Sequence, residues 1–193
     1  MGTIVRFDTA IFHAVNTGLT AGWLDTLMPY VTEKFNFLGA IIVAAALTLV
    51  LGRRKDRWGL LLLVFVVLSS DLLSNLLKHL FMRTRPCNAL EGVRLLAGCS
   101  HSYSFPSSHA TNIFAAMVFL TARYRKFFPV FLTVAVTVAY SRVYVGVHYP
   151  LDVAGGAVLG SAVAIIWFEA DKRFTGAAVE YYRKKRGSVE QEQ

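Results

Sequence analysis

Three short clusters of polar residues stand out in a sequence that is otherwise strongly apolar. They cover residues 78–86, 105–109 and 141–152. The candidate functional residues in these clusters are Lys78, Arg85, Ser107, Ser108, His109, Arg142, His148 and Asp152. Cations, imidazoles, a carboxylate and hydroxyl groups together are the groups that a phosphoryl-transfer site requires.

The spacing of these residues suggests what each group would do. Lysine and arginine hold the non-bridging oxygens of a phosphoryl group, and a guanidinium can do so through two hydrogen bonds. Residues 106–108 precede an apolar run and predict the start of a helix, where free N–H groups and the helix dipole favour a phosphate. His148 precedes Asp152 by four residues, so the carboxylate can orient one imidazole nitrogen and aim the other at phosphorus. His109 remains available to protonate the leaving oxygen.

The elements that must position these groups are apolar segments. The 193-residue chain is 55% hydrophobic and only 17% charged, which excludes a disordered chain and is unusual for a soluble domain. Five segments are predicted to span a membrane, namely residues 35–52, 58–80, 107–122, 127–145 and 151–168. The sequence therefore predicts an all-α fold, an integral membrane helical bundle with about five transmembrane helices.

Two terminal segments flank the predicted transmembrane core at residues 35–170. In residues 1–34, apolar residues such as Phe7 and Val15 recur at helical spacing between polar ones. This pattern predicts an amphipathic N-terminal helix that lies along the membrane interface. Residues 171–193 are predicted to form a basic cytoplasmic tail.

Charge predicts the orientation of the spans. Basic residues concentrate in residues 53–57, in residues 123–126 and in the tail, and all three segments fall on one side of a five-span bundle. The positive-inside rule assigns that side to the cytoplasm, which places the three polar clusters at the outer face. The net charge of +8 on so apolar a chain favours contact with anionic lipid, and no nucleic-acid partner is expected.

The three clusters resemble the motifs of the type 2 phosphatidic acid phosphatase (PAP2) family, in its membrane-integral bacterial lipid phosphatase branch. The family pattern K-x6-R-P matches residues 78–86, and S-R-x5-H-x3-D matches residues 141–152. The pattern P-S-G-H matches residues 106–109 with one departure, because Ser108 stands where the family has glycine. Serine would strain a position that needs positive φ, whereas it fits an ordinary first helical turn.

The resemblance implies a role for each matched residue. His148 would attack phosphorus and form a phosphohistidine, His109 would protonate the departing group, and Asp152 would orient His148. The phosphoryl group would be bound by Lys78, Arg85, Ser107, Arg142 and the backbone N–H of Ser108. No metal or other cofactor is expected, because the cations neutralise the charge of the phosphoryl group.

Four further residues are predicted to support the site. Asp71 lies in the second predicted span on the same helical face as Lys78, with Asn75 between them, and is expected to fix helix packing there rather than to act directly. Cys87 and Cys99 lie in one predicted outer loop, where an oxidising compartment would favour a disulfide over two unpaired thiols.

These expectations describe a metal-independent lipid phosphate or diphosphate phosphatase of the inner membrane, with undecaprenyl diphosphate as the favoured substrate. Lipid A 1-phosphate, phosphatidylglycerol phosphate and phosphatidic acid remain alternatives, and the oligomeric state stays open. Two other classes compete with this interpretation. A transporter would place charges near the midplane and show internal repeats, and a non-catalytic lipid-binding relative would lack one of the histidines.

Overall fold

All regular elements that the structure describes are helices. The structure is a computed structural model that describes the backbone of residues 2–191 and the side chains of residues 2–175. The helices are α1 (Thr3–His13), α2 (Gly22–Thr32), α3 (Leu38–Leu51), α4 (Arg54–Phe81), α5 (Pro86–Ala89), α6 (Ser108–Arg123), α7 (Phe128–Tyr144) and α8 (Pro150–Gln191). A π-helical turn follows α1, and 3₁₀ turns precede α3 and α7. The predicted all-α fold is confirmed, while the tail side chains beyond residue 175 lie outside the described residues.

Four helical segments of the described chain are long and apolar enough to cross a membrane. They are Lys34–Leu51, Arg54–Ala89, Arg125–Tyr144 and Pro150–Thr175. The third predicted span, residues 107–122, corresponds to α6, whose 16 residues rise only about 24 Å. This shorter helix packs against α4, α7 and α8. The chain is therefore a multi-pass helical membrane protein, as the sequence predicts.

The lipid-facing character of the bundle is clearest in α3. None of its residues is buried, although it consists of alanine, leucine, isoleucine and valine with one glycine and one threonine. Val50 is 72% exposed, and Ile41 is 59% exposed. An uninterrupted apolar helix without a protein partner on most of its surface is stable in a bilayer, where its backbone groups are paired internally.

Close packing of α6 on α8 brings the second and third polar clusters together. Leu62 and Val66 of α4 pack with Phe119 of α6 and Ala164 of α8 in an apolar core. Nearer the end that carries the polar clusters, a Cβ added to Gly156 would lie 2.6 Å from the carbonyl oxygen of Ser107. Glycine is required there because the two backbones meet directly, as at other membrane helix crossings built on small residues.

The N-terminal helix turns a mixed face toward the bundle and leaves part of its apolar surface exposed. Phe7 is 65% exposed, whereas Asp8, Phe12 and Asn16 are fully buried. Asn16 donates to the carbonyl oxygens of Arg94 and Tyr144, both at 2.8 Å. Asp8 and Asn16 lie inward because they pair with groups of the bundle, and the predicted contact of residues 1–34 with the membrane interface remains a prediction.

Candidate active site

The three polar clusters converge at one end of the bundle. Lys78 lies in the last turn of α4, Arg142 in the last turn of α7 and Asp152 in the first turn of α8. Six of the eight predicted residues are buried, namely Lys78, Arg85, Ser107, Arg142, His148 and Asp152, while Ser108 and His109 are half-buried. So many buried polar groups at one site require specific partners.

His148 projects from the short turn between α7 and α8 toward Asp152. Its Nδ1 atom lies 3.5 Å from Oδ2 of Asp152, and the same oxygen accepts hydrogen bonds from the Tyr149 N–H at 2.9 Å and from the Ser104 hydroxyl. Gly146 forms the turn with φ of +88°, and a Cβ there would lie 2.8 Å from the Arg94 carbonyl oxygen. The turn therefore depends on glycine to present the imidazole.

Arg85 fixes the tautomer of His148. Its Nη1 lies 3.1 Å from Nε2 of His148. Because a guanidinium can only donate, Nε2 is the acceptor and the imidazole proton is on Nδ1, facing Asp152. This is the tautomer in which Nε2 carries the lone pair that a nucleophile needs.

The environment of His148 keeps the imidazole neutral. The pKa of His148 is lowered to about 3, mainly by burial and also by the cations of Arg85 and Arg142, while the hydrogen bond to Asp152 opposes the shift. A neutral imidazole is the nucleophilic form, which the role predicted for His148 requires.

The first turn of α6 has the features of an anion site. Ser107 precedes the helix, its N–H donates to the Asp152 carbonyl oxygen at 2.9 Å, and its side chain makes no capping hydrogen bond. Its hydroxyl and the Nε of Arg142 are buried without a partner among the described residues. Unpaired buried donors beside a helix N-terminus indicate room for an anionic ligand.

Ser108 replaces the family glycine without strain. It is the first residue of α6, and Met82 is the one non-glycine residue with positive φ in the described part of the chain. The Ser108 hydroxyl lies 2.9 Å from that of Ser74 on α4. Serine therefore occupies an ordinary helical position and adds a link between α4 and α6.

The remaining cations are held in place by neighbouring loops and helices. Lys78 donates to the Tyr103 carbonyl oxygen at 2.7 Å, and a guanidinium nitrogen of Arg142 donates to the Thr32 hydroxyl at the end of α2. Arg142, Lys34, Arg85 and Lys78 all lie within electrostatic range of His109. The first and third clusters thus surround the second with positive charge before any ligand binds.

Asp71 and Asn75 support the contact between α4 and α6. Asp71 accepts from Asn75 at 3.1 Å and from Asn112 of α6 at 2.9 Å. Asn112 follows His109 by one turn, so the network holds the helix that carries His109 rather than contacting Lys78. A catalytic or packing role of Asp71 remains a prediction.

Several residues around the site have no assigned role in the sequence motifs. Thr32, Ser102 and Asn112 anchor predicted site residues, and Arg83 forms ion pairs with Asp8 and Asp152. The sequence does contain a sign that Asp8 has a buried partner. Asp8 is the one acidic residue among the first 24, and it lies in an apolar helix. Within residues 2–175, no group of three or more His, Cys, Asp or Glu is arranged to hold a metal ion.

A disulfide closes the loop that holds Arg85. Cys87 and Cys99 are joined with their Cα atoms 6.4 Å apart. Ser102, just beyond the closed loop, accepts from Arg85 through its carbonyl oxygen at 2.8 Å and through its hydroxyl at 2.9 Å. The cross-link therefore limits how far the Ser102 anchor can move from Arg85.

Replacing both cysteines with serine is expected to lower the thermal midpoint and to raise KM more than it lowers kcat. A loop of this length contributes about 3 kcal/mol in the chain-entropy model, and the loosened Arg85 belongs to the predicted phosphate-binding group. Wild-type protein treated with a reductant should match the double variant. Thiol labelling of unreduced protein checks the pairing directly, and two labelled cysteines would contradict it.

The helical membrane bundle and the cationic site around a histidine–aspartate pair are the features of a membrane-embedded phosphatase. Residues 59–175 match the model of the PAP2 superfamily. The chain belongs to this family, which confirms the resemblance carried by the three motifs. Its phosphatase members hydrolyse phosphate esters, so the chain belongs to a class of membrane lipid phosphatases.

Individual relatives cover most or about half of the chain. An undecaprenyl-diphosphatase from Sulfolobus acidocaldarius is 32% identical over 84% of this chain and 77% of its own length. A lipid A 1-phosphatase from Rhizobium johnstonii is 38% identical over 55% of this chain and 43% of its own length. The crystal structure of a transmembrane PAP2-type phosphatidylglycerolphosphate phosphatase from Bacillus subtilis has a TM-score of 0.73 and 27% identity, over 90% of this chain and 88% of that one.

Proposed function

We propose that this protein removes phosphate from a phosphorylated membrane lipid, with undecaprenyl diphosphate as the preferred substrate, through a phosphohistidine at His148. The observation that carries the proposal is the neutral, buried His148, whose Nε2 faces the Arg85 guanidinium while Nδ1 faces Asp152. The 32% identity to an undecaprenyl-diphosphatase over most of the chain supports the choice of substrate.

The reaction would proceed in two steps at one site. His148 Nε2 attacks phosphorus, the bond from phosphorus to the leaving oxygen breaks, and His109 donates its proton to that oxygen. Water then attacks the phosphohistidine, His109 takes a proton from the water, and inorganic phosphate leaves as the bond to Nε2 breaks. Asp152 stabilises the positive charge that His148 acquires during attack.

The cationic groups would act mainly on the transition state. Negative charge shifts among the phosphoryl oxygens during transfer, and donors that are already in place stabilise it without reorganisation. Lys78, Arg85, Ser107, Arg142 and the N–H of Ser108 are the predicted donors. Two of them carry unpaired buried polar atoms, which is what this role requires of the unliganded protein.

We further propose that the site faces the outside of the inner membrane, that the C-terminus is cytoplasmic and that residues 1–34 lie at the outer interface. Basic segments meet at the other end of the bundle, where Arg123 donates to the Lys55 carbonyl oxygen at 2.8 Å and pairs with Asp171 at 2.7 Å. Lys55 and Lys78 belong to the same helix, and their separation of 23 residues corresponds to about 35 Å. This distance supports a positive inner end and an outer active site.

Phosphate release by the purified protein in detergent tests the proposal. We expect release from undecaprenyl diphosphate to exceed release from lipid A 1-phosphate, phosphatidylglycerol phosphate and phosphatidic acid, and we expect the activity to persist in EDTA. His148→Ala is the negative control, and His101→Ala, which changes an exposed histidine, is the matched positive control. Preference for another lipid would revise the substrate, and loss of activity in EDTA with recovery in Mg²⁺ would contradict the chemistry.

A further inference from the structure

The best-defined polar network outside the family motifs connects the N-terminal helix to the catalytic pair. Arg83 lies just beyond α4, and its guanidinium bridges two carboxylates with different nitrogens. Nη1 lies 2.7 Å from Oδ1 of Asp152, and Nη2 lies 2.6 Å from Oδ2 of Asp8. Both carboxylate side chains are fully buried, and that of Arg83 is 25% exposed.

Asp152 depends on this contact for one of its two oxygens. Oδ2 faces three donors, from Ser104, Tyr149 and His148. Oδ1 accepts from Arg83 alone among the described side chains. Without Arg83, the Asp152 carboxylate would keep hydrogen bonds at Oδ2 only. Its plane could then rotate relative to the imidazole of His148.

Asp8 holds Arg83 and the start of α8 at the same time. Its Oδ2 accepts from Arg83, and its Oδ1 accepts from the Leu151 N–H at 2.9 Å. The Leu151 N–H belongs to the first turn of α8, where backbone donors have no partner within the helix. A carboxylate from α1 therefore caps the helix turn from which Asp152 projects.

Aromatic packing restricts Arg83 further. Its guanidinium lies 4.0 Å from the centroid of the Tyr149 ring, and that ring also packs on Phe12 of α1, with centroids 5.6 Å apart. A guanidinium stacked on an aromatic face and bonded at both ends has little freedom to rotate.

Charge balance explains why two carboxylates share one arginine. If Arg83 paired with Asp152 alone, its positive charge would offset the negative charge that stabilises His148 during attack. With Asp8 neutralising Arg83, the buried group of Asp8, Arg83 and Asp152 keeps a net charge of −1. The Asp152 carboxylate then remains available to the imidazole.

We propose that Arg83 is a positioning residue for the Asp152–His148 pair and that Asp8 holds it there, so that the N-terminal helix is part of the catalytic apparatus. This inference rests on the proposed function, because it assigns Arg83 an effect on attack by His148. It predicts that the contact changes turnover and leaves binding of phosphate intact, since neither Arg83 nor Asp8 belongs to the predicted phosphate-binding group.

Three variants test the inference, namely Asp8→Asn, Arg83→Gln and the double variant. Arg83→Gln is expected to lower kcat by on the order of 10- to 100-fold, as does loss of groups that orient catalytic ligands elsewhere. KM and the inhibition constant of inorganic phosphate should stay within about threefold of wild type. Asp8→Asn should lower kcat less than Arg83→Gln does. The double variant should have the same kcat as Arg83→Gln, because Asp8 acts through Arg83.

The double variant also separates positioning from folding, because it removes one charge of each sign and keeps the net charge of the buried group at −1. Asp171→Asn is the matched control, since it breaks a comparably buried ion pair with Arg123 at the far end of the bundle. All rates are normalised to folded protein by thermal unfolding and size-exclusion chromatography. If kcat of Arg83→Gln and of the double variant equals that of Asp171→Asn, the inference is wrong.

The two proposals fail in distinguishable ways. If His148→Ala keeps its activity, the proposed phosphohistidine mechanism is wrong whatever the Arg83 variants do. If His148→Ala is inactive while Arg83→Gln turns over like wild type, the mechanism stands and only the positioning role fails. A rise in KM and in the phosphate inhibition constant at unchanged kcat would instead assign Arg83 to substrate binding and would also overturn the inference.

Discussion

His148→Ala is expected to abolish phosphate release, with a loss of at least about 10³-fold, while the bundle stays folded. No other group is placed to attack phosphorus at this site, because His148 is the buried imidazole whose Nε2 lone pair accepts from Arg85 while its Nδ1 faces Asp152. Removal of a nucleophile leaves only the catalysis that comes from binding and charge stabilisation. Phosphate release under saturating lipid measures the effect.

Trapping of the intermediate gives a second readout for the same variant. Wild-type protein mixed with labelled substrate and quenched in alkali should retain label on a histidine, because phosphohistidine survives base and is hydrolysed in acid. His148→Ala should retain none, whereas the exposed-site variant His101→Ala should match wild type. Residual turnover above a few per cent in His148→Ala would rule out the phosphohistidine mechanism.

His109→Ala is expected to have an effect that depends on the leaving group. General acid catalysis contributes about 10²- to 10⁴-fold to the rate. A monoester such as phosphatidic acid depends on the full rate enhancement, because its leaving group is a strongly basic alkoxide. A lipid diphosphate releases a lipid monophosphate, which is a weaker base. The loss in kcat/KM should therefore be larger for phosphatidic acid than for undecaprenyl diphosphate.

The second step of the reaction refines this expectation. His109 would also accept a proton from the attacking water, so its removal should slow hydrolysis of the phosphohistidine. With the diphosphate, His109→Ala should give a burst of one lipid monophosphate per enzyme followed by slow turnover. Equal losses with both lipids and no burst would show that His109 does not transfer protons in either step.

Local sequence patterns predict the bounds of the apolar helices well. The predicted segment 107–122 corresponds to α6 at Ser108–Arg123, and the segment 127–145 corresponds to α7 at Phe128–Tyr144. Such agreement is expected because apolar length and helix-start residues are local properties. The motifs also predict which buried polar residues meet at one end of the bundle, since each lies at or near a helix end.

Partners that are distant in sequence could not be predicted in the same way. Asp8 and Arg83 are 75 residues apart, and no periodicity connects them. The apolar spacing of α1 likewise indicates a surface for the membrane and does not reveal which groups of the bundle its polar side chains meet. Whether serine at position 108 is strained depends on the backbone angle φ at that position. The sequence motif does not determine this angle.

The hydrogen bond from Arg85 to Nε2 of His148 has a consequence for the order of events. In the unliganded protein the guanidinium occupies the lone pair that must attack phosphorus. An arriving phosphate competes for the same N–H, and as its oxygens take over the guanidinium, the imidazole nitrogen is released beside the phosphorus atom. Binding of the anion and release of the Nε2 lone pair of His148 then occur in the same step. A lipid without a phosphate leaves this lone pair bonded to Arg85.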